Sequence, residues 1–316
     1  MGNMKKLALF ALTVFISSTI TAQTYNFLRL DTSPRAAALA GSYVATGDDP
    51  NVIFYNPAGI NLLQGTPVSF SFLKYLMDIN AASLSASTEI SGVGRFGTAI
   101  DYINYGTFTR ADENGTDLGT FNAGEMAILV GYGNQIEENF YYGANVKFIF
   151  SNIAGISSSG IAADLGLFYT IPDQRLNFGF SILNAGRQIK SYYSTLEDLP
   201  LDVRLGFSKE LARLPFRFFW SFNRMNDTQN SILAHFKQIT FGGEFKVGQS
   251  LRLRFGYDNT KRNDFQVGST AGLAGIAVGF GLQIKNYNID YSFSSMGSIG
   301  ALHRFGISTN FENLVK

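Results

Sequence analysis

The chain has 316 residues, a formal net charge of +1 and charged side chains at only 16% of its positions. The balanced charge gives no bulk attraction to nucleic acid or to an anionic surface, and soluble domains carry more charge, roughly 25%. The absence of cysteine excludes disulfides, thiolate metal sites and a lipid-anchored cysteine, and two histidines argue against a histidine-rich metal site.

The first 22 residues have the pattern of a secretory signal peptide. Lys5 and Lys6 precede the apolar run 7–16, and the small-residue stretch 20–22 suits cleavage before Gln23. The alternative is a buried amino-terminal helix, since the run is too short to span a membrane. No other run reaches the length of a spanning helix, so the sequence excludes a helical membrane protein.

Residues 24–64 lack the strand pattern of the rest of the chain. Ser33 and Pro34 predict a helix cap with proline at the first helical position, and the alanine-rich stretch 35–41 follows as a short helix. The stretch NVIFYNPAGI, 51–60, then places large apolar residues directly before turn-formers. Its central motif comprises Val52, Ile53, Phe54, Tyr55, Asn56, Pro57, Ala58 and Gly59.

From residue 66 onward, apolar residues alternate with polar or small ones, which predicts strands with one apolar face. Most of the segments have the length of a tilted membrane-spanning strand. Fourteen segments are predicted, at 66–75, 78–89, 93–104, 124–134, 139–152, 157–171, 175–184, 201–209, 214–223, 237–247, 250–258, 271–283, 286–294 and 301–311.

The even strand number and the mixture of short and long connections favour an antiparallel transmembrane β-barrel. A soluble β-sandwich also alternates, but the segments exceed the usual five or six residues and aromatic residues mark many segment ends. The predicted longer loops are 105–123, 185–200, 224–236 and 259–270. We therefore assign residues 1–22 to the signal peptide and 66–316 to an outer-membrane barrel, with residues 23–65 as a separate segment that the family resemblance given below implies is a plug.

In such a barrel the polar face of each strand lines the lumen, because a charge facing the middle of the membrane costs up to a few kcal/mol. Eight bases and six acids are predicted to face inward, which is more typical of a packed interior than of an ion-selective pore. They are Arg95, Asp101, Lys147, Asp164, Asp202, Arg204, Arg217, Glu244, Lys246, Arg252, Arg254, Asp258, Asp290 and Arg304.

No catalytic, metal or cofactor site is predicted. The glycine pattern 92–97 matches a dinucleotide fingerprint, but a strand follows it where a helix is needed. The acidic stretch 112–117 lacks the ligand spacing of a calcium loop, and we expect a solvated hairpin tip. His235 and His303 are far apart in sequence, and no serine sits in a nucleophile elbow.

The region 35–60 resembles the amino-terminal region of the FadL-like outer-membrane barrels, with its alanine and glycine stretch, its acidic pair Asp48-Asp49 and its Asn-Pro-Ala block. Within that superfamily the chain is similar to the PorV/PorQ family associated with type IX protein secretion, and closer to PorQ. The segments that carry this similarity are 141–148, 200–206, 215–218 and 251–257.

The resemblance implies a fourteen-stranded barrel in the bacterial outer membrane, with the amino-terminal segment folded into the lumen as a plug. A physical argument agrees, since fourteen strands enclose more space than wall side chains fill. Residues 51–55 are expected to form the apolar part of the plug, and residues 56–59 the turn that leads to the first strand.

Two functions from different classes are compatible with this reading. The first is a non-enzymatic scaffold that binds protein components of a secretion and surface-attachment system through its loops. The alternative is a FadL-like transporter of small hydrophobic solutes, with an apolar lumenal pocket and a lateral exit through a kink in the wall. The expected partners are outer-membrane lipid, secretion proteins or a hydrophobic small molecule, with no nucleic acid and no cofactor.

Overall fold

The computed structural model describes residues 23–227, 238–265 and 272–313, so the predicted signal peptide lies outside the described residues. Fourteen strands in these ranges form one closed antiparallel barrel, in which each strand pairs with its sequence neighbours and β1 pairs with β14. The strands are β1 (Pro67–Lys74), β2 (Asn80–Ile90), β3 (Gly94–Ala111), β4 (Asp117–Glu137), β5 (Phe140–Ile153), β6 (Ile156–Ile171), β7 (Leu176–Lys190), β8 (Asp202–Glu210), β9 (Phe216–Phe222), β10 (Ile239–Val247), β11 (Leu251–Asp258), β12 (Ile276–Ile284), β13 (Tyr287–Ser295) and β14 (Ala301–Asn310).

The helices are short, and those described before β1 belong to the amino-terminal segment. The α-helices are α1 (Pro34–Ala38) and α2 (Asn259–Asp264), and the 3₁₀ helices are Asn26–Arg29, Pro50–Phe54, Pro57–Leu62, Pro172–Gln174, Gly297–Ile299 and Phe311–Asn313. None of the helices in the described ranges is long and apolar enough to cross a membrane. The predicted fold, a fourteen-stranded barrel with an amino-terminal plug of short helices, is confirmed.

The alternation of the sequence becomes the two faces of the wall. On β11, Arg254 is 7% exposed and points inward, whereas its neighbour Phe255 is 55% exposed on the outer surface. Phe70, Val130 and Leu165 are exposed in the same way on other strands. The outer band is therefore apolar, as contact with lipid chains requires, and the polar groups lie in the lumen.

The two rims of the barrel differ. One rim, called here the short-turn rim, has tight connections such as the two residues between β4 and β5. The opposite rim, the long-loop rim, carries the connections 191–201, 223–238 and 259–275. Outer-membrane barrels have short periplasmic turns and longer extracellular loops, so the long-loop rim is the outer one.

Two of the predicted loops are wrong in their extent. The segment 105–123 is mostly strand, because β3 continues to Ala111 and β4 begins at Asp117. These extensions pair only with each other above the rest of the wall, so the β3–β4 hairpin projects from the long-loop rim. Similarly, β7 extends to Lys190 within the predicted loop 185–200. Parts of the other two predicted loops, 228–236 and 266–270, lie outside the described residues.

The amino-terminal segment runs through the lumen from the long-loop rim to the short-turn rim. At its start, the Thr24 amide donates a hydrogen bond to the Asp198 carbonyl, in the connection after β7. At its end, Arg95 Nη1 donates to the Gly65 carbonyl, beside the start of β1. Nearly every residue between 31 and 60 is buried. The segment therefore has the position of a plug, and it is called the plug below.

Candidate functional site

The motif at 51–60 forms two consecutive 3₁₀ helices inside the barrel. The first, Pro50–Phe54, is capped by Asp49, whose carboxylate accepts the Asn51 amide at 2.8 Å. Val52 and Ile53 are almost fully buried, and they pack with apolar residues of the second helix and of β3 and β4. This half of the motif thus forms a small apolar core between plug and wall.

Asn56 begins the second helix, Pro57–Leu62, so the expected turn at 56–59 is a capped helix start. Its side-chain oxygen accepts the Ala58 amide at 3.1 Å, which satisfies one of the unpaired donors of a helix start. Its side-chain nitrogen donates to the carbonyls of Val44, at 2.8 Å, and Leu167, at 3.0 Å. Asn56 therefore caps a helix, joins two parts of the plug and ties both to β6.

The helix start also lies against glycines of the wall. A Cβ atom at Gly143 would lie 2.4 Å from the Pro57 carbonyl carbon, and one at Gly166 would lie 2.1 Å from Asn56 Oδ1. Side chains at these inward positions would therefore displace the motif. The wall has no side chain where the plug backbone approaches it most closely.

Tyr55 and Phe54 join the motif to the rest of the plug. The Tyr55 ring is buried and meets Tyr43 edge to face at 5.1 Å between ring centroids. The guanidinium of Arg204, on β8, lies 5.5 Å from the centre of the Tyr55 ring. Half-buried Phe54 contacts the apolar clusters on both sides.

The short-turn half of the lumen holds a network of ion pairs centred on Arg35 of α1. Arg35 donates to Glu244 at 3.0 and 3.1 Å and to Asp48 at 3.1 Å, and Arg217 donates to the same Asp48 oxygen. Glu244 also accepts from Arg254 at 2.6 Å. Burial lowers the pKa of Arg35, but Asp48 and Glu244 outweigh it and hold the pKa well above the usual value. The network thus joins α1 and the acidic pair of the plug to β9, β10 and β11.

Other predicted inward charges pair within the wall or with the plug. Lys147 lies 3.0 Å from Asp164, and Arg204 lies 2.6 Å from Asp202. Arg304 donates to the Asp31 carbonyl at 2.5 Å. All fourteen predicted charges lie on the inner face, and all but Lys246 and Arg252 are buried. Arg254 also pairs with Asp290, and the Asp101 carboxylate accepts a hydrogen bond from Thr32. Arg95 is hydrogen-bonded to Ser87, and Asp258 caps α2.

The long-loop half of the lumen is apolar on one side. Tyr25 and Phe27 of the plug pack against inward residues of β1–β6 and β14. We call this set the upper apolar cluster; its buried members are Tyr25, Phe27, Leu73, Ala81, Ile103, Ala127, Ile149, Ala162, Leu199, Met296 and Leu302. The pairing of β3 with β4 shifts register between Asn104 and Gly106, directly beside this cluster. The wall is therefore irregular where its inner face is apolar.

Two polar cavities lie on the opposite side of the lumen. The first has a volume of about 220 Å³, lies toward the long-loop rim and is lined by Arg29, Asp31, Arg204 and Lys261 among others. Burial raises the pKa of Asp31, but the charges of Lys261, Arg204 and Arg304 outweigh it, so the pKa lies below its usual value. The second cavity, of about 230 Å³, opens beside the Arg35 network toward the short-turn rim.

The chemical motifs examined in the sequence do not form sites. Gly92 and Gly94 lie at the β2–β3 turn, where both have positive φ angles. His303 is a wall residue whose Nδ1 lies 2.8 Å from the Tyr291 hydroxyl, whereas His235 lies outside the described residues. Across residues 23–227, 238–265 and 272–313, no group of three histidine or carboxylate side chains could hold a metal ion.

Sequence analysis missed the plug's own charges, above all Arg35. The cation stands in an alanine-rich stretch, and its partner Glu244 is 209 positions away. The acidic pair Asp48-Asp49 belongs to the resemblance, but the sequence does not indicate that Arg35 pairs with it. The presence of a charge in a segment that is expected to enter a barrel could have predicted an ion pair, because a charge buried there needs a partner.

Solved structures with similar folds are outer-membrane transport proteins. The toluene transporter TbuX of Ralstonia pickettii superposes with a TM-score of 0.60 at 14% identity, over 88% of this chain and 98% of that one. The toluene transporter TodX of Pseudomonas putida gives 0.59 at 13% identity, over 92% and 100%. A FadL homologue of Pseudomonas aeruginosa gives 0.56 at 10% identity, over 89% and 98%.

This is the fold of the FadL-like outer-membrane barrels. It agrees with the expected location in the bacterial outer membrane. No family model and no curated protein matches the chain. The comparisons therefore support the FadL-like part of the resemblance at the level of fold, and they do not extend to the PorV/PorQ branch.

Proposed function

We propose that the protein is an outer-membrane channel that takes up small hydrophobic solutes through the long-loop half of its lumen. The observation that carries this proposal is the upper apolar cluster, which lies above a plug that ion pairs fix to the wall. The similar folds of two proteins described as toluene transporters support the same class of solute.

The geometry favours a lateral exit. A solute that reaches the cluster from outside meets the plug below it, where the buried side chains of Arg35 and Glu244 form an ion pair at 3.0 Å. Opening that route would separate buried charges, which is strongly unfavourable. The shifted β3–β4 pairing after Ile103 instead offers an irregular part of the wall at the level of the cluster. Access requires movement of residues 25–30, because the cluster is packed.

The test is uptake of toluene by intact bacterial cells that carry the protein in their outer membrane. The variant Phe27→Glu places a charge in the cluster without changing any strand, so uptake should fall to that of cells lacking the protein. The matched control is Leu118→Glu on the projecting hairpin, where Leu118 is 58% exposed, and its uptake should equal wild type. Unchanged uptake by Phe27→Glu cells, at equal outer-membrane levels, would refute the proposal.

A second candidate is the scaffold role in type IX secretion and surface attachment, and the projecting β3–β4 hairpin favours it. Its paired edges are open on both sides, and the rings of Phe108 and Phe121 stack at 5.3 Å with Arg110 over Phe121. Aromatic residues and arginine are enriched at protein interfaces. Affinity capture from outer membranes tests this role: recovery of secretion components with wild type, lost on deletion of the hairpin, supports it, and their absence from wild type excludes it.

A further inference from the structure

The inner wall at the short-turn rim carries a row of polar side chains that the plug does not use. The row, called here the rim row, runs across β10–β14 and comprises Lys246, Arg252, Gln283, Asn288 and Ser308. Lys246 is directly opposite Arg252, Gln283 is opposite Asn288, and Asn288 is opposite Ser308. All five line the cavity of about 230 Å³.

Two cations, Lys246 and Arg252, face each other in this row, and only one of them pairs with a carboxylate. Lys246 pairs with Glu210 at 3.1 Å. Arg252 donates only to the carbonyls of Gln249 and Leu251, at 3.2 Å, and forms no ion pair within the described part of the chain. Like charges directly opposite on antiparallel strands destabilise a sheet. An anion between Lys246 and Arg252 would remove that cost.

The neighbouring side chains can complete the coordination of an anion. Within the described residues, the side chains of Gln283, Asn288 and Ser308 make no hydrogen bond to another residue, and two amides and one hydroxyl therefore keep free donors. The planar guanidinium of Arg252 fits two oxygens of a carboxylate or phosphate at once. The row thus combines charge with donors around one volume.

The deeper wall of the cavity limits how far an anion can enter. On that side, Arg35 and Arg254 are already paired with carboxylates of the lining, so the deeper wall offers an anion no unpaired cation; these carboxylates are Asp48, Asp49, Glu244 and Asp290. Gly281, opposite Arg252, has no side chain; a Cβ there would lie 2.5 Å from Asp290 Oδ1. A bound oxyanion would therefore stay at the rim row, in contact with the space below the barrel.

We propose that the rim row binds an oxyanion, the carboxylate or phosphate group of a small solute, at the short-turn mouth of the barrel. The site lies at the opposite rim from the upper apolar cluster and does not depend on hydrophobic transport. Its chemistry differs from that of an apolar channel, because two cations face each other beside amide and hydroxyl donors. It would give the periplasmic mouth its own ligand.

The test is calorimetric titration of the purified full chain in detergent at low ionic strength, with sodium acetate and inorganic phosphate as separate probes. We expect saturable binding of at least one probe, and the tighter one identifies the oxyanion. Arg252→Gln should weaken that binding at least about tenfold, as loss of a charged hydrogen bond predicts. The matched control Arg213→Gln, at an exposed residue of the same rim, should bind as wild type does.

Three results would overturn the proposal. They are no saturable binding of either probe to folded wild-type protein, equal weakening by Arg252→Gln and Arg213→Gln, or tighter binding of ethylammonium than of both anions. Circular dichroism and the heat-dependent gel mobility of each variant would verify that the barrel is folded. Anion binding at the rim row is measured independently of toluene uptake, so either proposal can be refuted without refuting the other.

Discussion

The two halves of the lumen hold the same plug by different physical means. In the short-turn half, Arg35 forms a buried ion pair with Glu244 and a second ion pair with the more exposed Asp48. In the long-loop half, Tyr25 and Phe27 lie among apolar wall residues. Ion pairs have fixed geometry and lose much when one partner leaves, whereas apolar contacts are non-directional and re-form after movement. From this difference we expect the plug to be harder to displace beside Arg35 than beside the upper apolar cluster.

The largest expected effect comes from breaking the ion pairs of the short-turn half. Arg35→Gln removes one of the two cations that pair with the buried Glu244 and leaves only Arg254, and loss of one partner in a buried pair costs up to about 3–5 kcal/mol. We expect a lower urea midpoint of unfolding and new ion conductance in planar bilayers, because the plug loses one of its ion-pair attachments to the wall. The control is Arg175→Gln, which removes the surface ion pair between Arg175 and Glu210, 3.8 Å apart, and should lower the free energy of unfolding by less than about 1 kcal/mol. Equal midpoints for the two variants would contradict the comparison.

An intermediate effect is expected where the plug backbone touches the wall. A Cβ at Gly179 would lie 2.1 Å from the Val44 carbonyl oxygen, so Gly179→Ala should cost about 1–3 kcal/mol through overpacking. At Gly124 the nearest atom is the Ile103 carbonyl oxygen at 3.2 Å, and Gly124→Ala should cost less. Unfolding midpoints of both variants test which substitution destabilises more. A larger loss for Gly124→Ala would show that the plug backbone moves away from Gly179 to make room for the methyl group.

The smallest effect concerns pH and the charged side of the long-loop half. Lys261 lies 3.2 Å from Asp31, and its charge lowers the pKa of Asp31 more than the other nearby cations do. A lowered carboxyl pKa adds stability that is present above the unfolded value of about 4 and is lost as pH falls through the folded value. Wild-type stability should therefore be insensitive to Asp31 from pH 5 to 8 and should decline only below about pH 4.

Lys261→Met should move that decline to higher pH, because burial then raises the pKa of Asp31 with less opposition. Unfolding midpoints measured from pH 3 to 8 would show the change, and Lys285→Met, at an exposed turn, serves as the control. If the Lys261 variant kept the wild-type pH profile, Asp31 would not be held by that charge.

The wall could be predicted from the sequence, whereas the contacts of the plug could not. Alternation on β11 gives both faces of the wall because Arg254 and Phe255 need different surroundings. The alternation does not predict the strands above the membrane. There both faces of the β3–β4 hairpin contact water, so polar residues such as Thr109 occur where an apolar residue would otherwise mark the strand. Asn56 shows the same limit, because its role as cap and tie depends on the carbonyl of Leu167, 111 positions away.

The length of β4 has a practical consequence for work on living cells. Its 21 residues extend about 70 Å at about 3.3 Å each, roughly twice what a tilted strand needs to cross the bilayer. The tip between Ala111 and Asp117 therefore stands away from the lipid surface, with Gly115 in open space. An epitope inserted at that tip would report the orientation and the copy number of the protein by antibody labelling, with the barrel left untouched.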